Sequence, residues 1–196
     1  MKNICLLLIM SLPVLSGCAE SSTLIKTGST SIRSDVFQEV SNGGIVPQGY
    51  ADLHIVSSLK THKPGIYPFE KKPHGTPEYS LLVNIDGQVV RLQGSLHKEN
   101  TEPRGLRDPE AGDGIRYRFS KKLRLKTGTH KIIVALPDDE IAIEREITLS
   151  DKSNNSLVVE TIYGMSPGKQ RPGFYGETSY KEGIKRLRLT LNGLDI

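Results

Sequence analysis

The sequence predicts an all-β fold, an antiparallel β-sandwich, over residues 50–196. In this region apolar residues alternate with polar ones, turn residues separate the alternating runs, and no convincing helical period emerges. Alternation at period two places one face of each strand in a core and the other face in water. A chain of 196 residues has room for one core of this kind.

The alternating runs define about eight strands. The clearest pair is a hairpin, in which residues 80–92 alternate on both sides of Asp86-Gly87. Asp-Gly is typical of a tight hairpin turn between paired strands. In the last strand Leu187 and Leu189 are expected inside, with Arg186 and Arg188 outside. The other runs are residues 53–57, 117–125, 130–136, 141–149 and 157–163.

The amino terminus predicts a signal peptide over residues 1–17. Its apolar run, residues 4–15, would span about 18 Å as a helix, less than the ~30 Å of a bilayer core. The run ends at Leu15-Ser16-Gly17-Cys18, which resembles the lipobox of bacterial lipoproteins. That resemblance implies that Cys18 becomes the first mature residue and carries acyl chains such as palmitate. A secreted protein with a coincidental cysteine is the alternative.

The lipobox resemblance also implies a compartment. Several acyl chains hold a protein at a membrane essentially permanently. Ala19 differs from the Asp that retains many Gram-negative lipoproteins in the inner membrane, so the outer membrane, with the domain facing the periplasm, is expected. Because Cys5 lies in the removed segment, the mature chain would have no internal disulfide.

The segment that follows Cys18 is rich in Ser, Thr and Gly. Residues 18–49 are therefore expected to form a flexible tether between the lipid and the sandwich of residues 50–196. Four apolar residues near the helical spacing leave a docked helix or strand as the alternative: Ile32, Val36, Phe37 and Val40.

Part of the sandwich resembles a PEGA-type domain, a small sandwich of bacterial envelope proteins. The resemblance covers residues 79–163, on the Asp86-Gly87 hairpin and the run 125–134, in which Gly128 and His130 precede a strand. It implies a positive φ at Gly128, a strand that begins at His130, and an interaction module of the envelope. An immunoglobulin-like sandwich has the same architecture.

One sequence pattern matches a catalytic motif. Residues 164–168 match the G-x-S-x-G of α/β-hydrolases around Ser166. Pro167 has no N–H to donate to an oxyanion, and no His follows the serine, as the order of that triad requires. A hydrolase is therefore a remote alternative, and we expect no enzyme activity.

Metal ligands are also weakly indicated. The carboxylates Asp108, Glu110 and Asp113 lie in a long insertion, residues 93–114, but their spacing does not match a calcium-binding loop. The histidines show no metal-ligand spacing: His54, His62, His74, His97 and His130. We expect no metal and no cofactor.

Two surfaces are candidates for binding. The long connections at residues 64–79 and 163–180 contain aromatic side chains of the kind that dominates protein interfaces: Tyr67, Phe69, Tyr79, Phe174, Tyr175 and Tyr180. They are expected to contact an envelope protein, unless their rings fold back to close the sandwich. Basic residues on outward strand faces, such as Arg186 and Arg188, are first explained as a solvated face that protects edge strands. The alternative is a surface for anionic lipid, lipopolysaccharide or peptidoglycan.

Together these patterns predict a lipid-anchored envelope protein that works by binding. An accessory or assembly role beside a protein partner is the first expectation, and recognition of an envelope polymer or anionic lipid is the second. The net charge of +4 is spread too evenly for a nucleic-acid partner.

Overall fold

The computed structural model describes residues 16–41, 44–64, 73–102, 104, 108, 110–165 and 182–196. Two β-sheets pack face to face around a shared apolar core, which confirms the predicted all-β sandwich. The elements are α1 (Ser16–Gly28), β1 (Phe37–Glu39), β2 (Tyr50–Thr61), β3 (Ser80–Ile85), β4 (Gln88–Gln93), β5 (Ser95–Thr101), β6 (Gly112–Lys126), β7 (Gly128–Leu136), a 3-10 helix (Pro137–Asp139), β8 (Ile141–Leu149), β9 (Asn154–Met165), β10 (Glu182–Leu191) and β11 (Leu194–Asp195).

The first sheet, sheet A, has the strand order β1-β6-β2-β9-β10-β11, and β5 also pairs with β6. The long strand β6 pairs with β5 along its first half and with β1 near its end. Sheet B has the order β4-β3-β7-β8. Each pair is antiparallel except β2 with β9, which is parallel. The chain crosses from sheet B to sheet A between β8 and β9, so no hairpin dictates the direction in which β9 meets β2.

The Asp86-Gly87 turn and the positive φ at Gly128 that the sequence predicts are present. Asp86 and Gly87 have φ values of 46° and 91°, as a two-residue hairpin turn requires. Gly128 has a φ of 127°, a conformation that glycine adopts readily. The expected insertion, residues 93–114, is in part a strand, because β5 pairs with β6. Leu96 is the one large apolar residue of β5, so alternation could not reveal this polar edge strand.

A flexible tether is expected over residues 18–49, but residues 18–41 are docked on the sandwich. The helix α1 lies on the outer face of sheet B, and residues 29–39 continue along the β3–β4 hairpin to β6. Val36 and Phe37 are buried in the core, which explains why this segment docks. The docked alternative is therefore correct for these two residues, whereas Ile32 is 81% exposed.

The helix α1 covers part of sheet B that would otherwise be wet. The residues of β3 are buried on both faces of the sheet, including Leu82 and Asn84, which point away from the sandwich core. Within the described part of the chain, no helix has the length and apolar character needed to cross a bilayer.

Candidate functional site

The strands of both sheets share two ends, and the long connections lie at one of them. Thr61 pairs with Ile115, Thr101 with Gly112 and Met165 with Glu182, so the connections beyond these residues leave the same end. The 3-10 helix between β7 and β8 lies there as well. We call this the loop end. The opposite end carries the short turns at residues 86–87, 127, 150–153 and 192–193, and we call it the turn end.

A column of rings fills the sandwich at the loop end. The His62 and His74 ring centroids are 4.8 Å apart, and His74 lies 5.2 Å from Tyr79. Tyr79 in turn lies 4.9 Å from Tyr117, which stacks on Phe119 at 5.9 Å. Offset and edge contacts at these distances are favourable. The column joins the connection after β2 to the core of sheet A.

Asp139 ties this column to sheet B. Its carboxylate accepts a hydrogen bond of 2.6 Å from the Tyr79 hydroxyl and lies 3.0 Å from His74 Nε2. Burial and the Asp139 carboxylate raise the pKa of Tyr79 well above its ordinary value. Tyr79, predicted for a contact surface, is instead wholly buried, because its ring packs in the core and its hydroxyl has a partner there. Its ring folds inward, as the alternative expected.

Tyr117 fixes the same connection from the other side. Its hydroxyl donates to the backbone oxygen of Thr76 over 2.8 Å, and burial raises its pKa to about 12. The Thr76 hydroxyl donates to Pro73 O, which closes a local turn. Residues 73–79 are thus held by Tyr117 of sheet A and by Asp139 of the 3-10 helix.

A second buried cluster, the Lys60 cluster, holds the connection between β5 and β6. The wholly buried Lys60 donates from Nζ to Thr101 Oγ1, Glu110 O and Gly112 O over 3.0, 2.8 and 2.6 Å. Burial lowers the pKa of Lys60, and the nearby Glu99 carboxylate opposes that change. The Lys60 side chain therefore holds the backbone of residues 110–112 against β2.

Arg116 completes this cluster. It donates from Nε to Glu99 and from Nη2 to Glu110, both over 2.7 Å. Burial alone would lower the pKa of Arg116, but these two carboxylates raise it above its ordinary value. The Tyr163 hydroxyl donates to Glu110 Oε1 over 3.0 Å, which extends the cluster to β9.

The three carboxylates considered for calcium have protein partners. Asp113 pairs with Lys63 at 2.8 Å, and Asp108 accepts hydrogen bonds from the backbone N–H groups of Arg104 and Glu110. These N–H groups lower the pKa of Asp108. Among the residues that the structure describes, no group of three or more His, Cys, Asp or Glu has a geometry suited to a metal ion.

The other residues singled out in the sequence fall in different places. Cys18 lies in the first turn of α1. Five of the aromatic residues and the serine of the hydrolase-like motif lie outside the described residues: Tyr67, Phe69, Phe174, Tyr175, Tyr180 and Ser166.

Carboxylates offset part of the positive charge on the basic face of sheet A. The Asp52 side chain, 1% exposed, pairs with Arg124 at 2.7 Å and with Lys122 at 2.9 Å, and hydrogen bonds from Arg124 lower its pKa. Arg188 pairs with Glu160 on the neighbouring strand. Within the described ranges, Arg186 is exposed and forms no ion pair. The face therefore carries both signs of charge.

Sequence reasoning missed Lys60, Asp139 and Asp52. Lys60 follows the outward alternation of β2, so the pattern predicts a solvated side chain, and only the fold shows that residues 110–112 cover it. Asp139 belongs to a Pro-Asp-Asp sequence that indicates a turn and nothing more. No short-range signal identifies the partners of these residues.

A small cleft beside β1 is lined by Asp35, Phe37, Arg124 and their neighbours, and its volume is about 80 Å³. Typical ligand pockets have about 300–1,000 Å³. Comparison with protein-family models, with curated proteins and with solved structures finds no match to this chain. The PEGA-type resemblance stays a prediction.

Proposed function

We propose that this protein is a lipid-anchored component of the bacterial cell envelope that binds a protein partner through its loop end, as an accessory or assembly factor. The observation that carries the proposal is that the long connections leave one end of a rigid sandwich. Binding residues commonly lie on loops that a rigid scaffold positions. The lipobox-like sequence at Leu15 to Cys18 supports the anchor, and Ala19 supports the outer membrane.

Polar side-chain contacts at the loop end support this proposal, because they hold the connections in position. His74, Tyr79 and Asp139 bind one another, and Lys60 and Arg116 bind the backbone and carboxylates of the connection after β5. Such contacts fix the residues at which the connections leave the strands. A positioned loop loses less conformational entropy when a partner binds it.

Binding of anionic lipid or polymer through the basic face has less support. Asp52 and Glu160 offset part of the positive charge of Lys122, Arg124 and Arg188 on the outer face of sheet A. Attraction to an anionic surface depends on net positive charge, at about 1 kcal/mol per basic residue near the surface. The protein-partner proposal therefore takes precedence.

In-cell cross-linking followed by mass spectrometry tests the proposed function. The comparison is between the lipidated wild type and a Tyr67→Ala, Tyr175→Ala double variant. The matched control is Ile45→Ala, Leu194→Ala, which removes exposed apolar side chains at the turn end. We expect one dominant protein partner in the wild type and the control, and its loss in the loop variant. Retention of the partner in the loop variant would contradict the proposal.

Palmitate labelling tests the anchor separately. Labelled palmitate should enter the wild type and be absent from Cys18→Ser, because Cys18 is the one cysteine after the predicted signal peptide. Equal labelling of the two proteins would exclude Cys18 as the attachment site.

A further inference from the structure

The helix α1 connects the proposed lipid attachment site to the sandwich. Cys18 lies in its first turn, and the helix ends at Gly28, where the chain already contacts sheet B. Eleven of its 13 residues, Cys18 to Gly28, would belong to the acylated chain, and they span about 16 Å. The position of α1 therefore decides which end of the sandwich lies nearest to the acylated residue.

The carboxyl end of α1 is fixed at the middle of sheet B. Asn84 Nδ2 donates to the Gly28 carbonyl oxygen over 3.0 Å in a buried contact. Gly28 packs against β7, because a Cβ atom there would lie 3.4 Å from Ile133 Cγ2. Asn84 and Ile133 are partners in the register of β3 and β7. This contact places the end of α1 on two central strands.

The other end of α1 points toward the loop end. Ser21 Oγ lies 3.5 Å from the carbonyl oxygen of Ala142, the second residue of β8. The strand β8 begins directly after the 3-10 helix, which belongs to the loop end. Cys18 precedes Ser21 by three residues, or about 4–5 Å of helix. The backbone of Cys18 therefore lies close to the loop end.

We propose that α1 is a docked stem that holds the sandwich with its loop end toward the bilayer and its turn end away from it. This inference rests on the proposed acylation of Cys18. It also narrows the partner to a protein seated in or on the same membrane, because the proposed contact surface faces that membrane. A soluble periplasmic protein would approach the turn end more easily.

The two ends are far enough apart for the orientation to be measured. The strand β2 runs between them with 12 residues, and at about 3.3 Å per residue it spans about 40 Å. Exposed residues at both ends accept a probe: Glu102 and Glu78 at the loop end, and Lys152 at the turn end.

The experiment uses the full chain, matured in cells and reconstituted into vesicles of phosphatidylethanolamine and phosphatidylglycerol with a headgroup-bound nitroxide quencher. Glu102→Cys and Lys152→Cys are labelled with the same fluorophore. Because the ends are about 40 Å apart, we expect quenching to be at least about twofold stronger at residue 102 than at residue 152. Equal quenching, or stronger quenching at residue 152, would overturn the orientation.

A linker variant tests the stem. Ten Gly and Ser residues inserted after Glu20 separate Cys18 from the docked part of α1 by a coil with a reach of about 17 Å. The difference between the two labels should then shrink, while an unchanged difference would show that α1 does not set the orientation. Vesicle flotation of the wild type against Cys18→Ser is measured in parallel. If both proteins float, or if neither does, the anchor itself is refuted. If only the wild type floats and the two labels are quenched equally, only the docked stem is refuted.

Discussion

The turn end and the loop end of the sandwich are closed in different ways. At the turn end, residues adjacent in sequence make the turn, as in Asp86-Gly87 with positive φ at both positions. At the loop end, the contacts join residues far apart in sequence. Tyr79 donates a hydrogen bond to Asp139, 60 positions away, and Lys60 donates one to Thr101, 41 positions away. Local sequence therefore specifies the turns at one end, where long-range contacts such as Asp86 with His130 support them. The connections at the loop end depend on long-range side-chain contacts throughout.

The largest effect is expected from the ring column at the loop end. Tyr79→Ala removes a wholly buried ring and should lower the free energy of unfolding by about 3–5 kcal/mol. Urea denaturation of the wild type and the variant measures it. Tyr79→Phe is the control, because it keeps the ring and loses only the hydrogen bond to Asp139, at about 1–2 kcal/mol. A Tyr79→Ala variant as stable as Tyr79→Phe would show that the ring does not support this end.

The turn end also has long-range pairs, and one of them is formed by Asp52 with Arg124 and Lys122. Asp52→Asn should cost about 1–3 kcal/mol at neutral pH, since the hydrogen bonds to a charged group are lost. Because the pKa of Asp52 is lower in the folded state, this contribution is fully present above the unfolded value of about 3.9.

The pH dependence of that pair follows from the same shift. As pH falls below about 4 toward the folded pKa of Asp52, the wild type should lose stability faster than Asp52→Asn. Thermal unfolding of both proteins across this range measures the difference. A gap that stays constant down to acid pH would assign the effect to packing rather than to the charge.

A local effect is expected at Gly128, whose φ is 127°. Gly128→Ala should cost about 1–2 kcal/mol through backbone strain, since nothing lies within 4 Å of an added Cβ atom. Gly44→Ala is the matched control, because its surroundings are equally open and no positive φ is recorded there. Equal stability of the two variants in urea denaturation would count against a backbone origin.

The smallest effect is expected on the outer face of sheet A. Arg188→Ala removes an exposed ion pair with Glu160 and should cost at most about 1 kcal/mol, less at high salt. Arg186→Ala, on the same strand face and without an ion pair in the described residues, should be neutral. If Arg188→Ala instead lost several kcal/mol in the same denaturation assay, the face would be more than a solvated surface.

The sequence predicts the sandwich well where one strand face is buried. The run 130–136 lies within β7 as a short apolar run, and the alternating run 141–149 matches β8, with Gly128 and Pro137 at their boundaries. It predicts the strand β5 poorly, since this edge strand buries little. It also predicts a tether where Val36 and Phe37 fill the core. The Ser, Thr and Gly content of this segment indicates flexibility, but composition does not show that two of its apolar side chains pack into the core.

The candidate site is less predictable than the fold, for a related reason. Alternation places Lys60 on a wet face, and nothing near it in sequence indicates that residues 110–112 cover it. Tyr79 is of a residue type that is common at protein interfaces, yet its contacts with Asp139 and Tyr117 place it in the core. Whether a polar or aromatic side chain faces a partner depends on contacts that form only after the two sheets pack.

Photo-cross-linking in cells tests the central claim most directly. A photoreactive side chain is placed at Glu78 or Glu102 of the loop end, or at Lys152 of the turn end, all of which are exposed. The account predicts one cross-linked protein partner from the loop-end positions, none from Lys152, and loss of the loop-end product in Cys18→Ser. A product from Lys152 alone, or no product from the loop end, would contradict it.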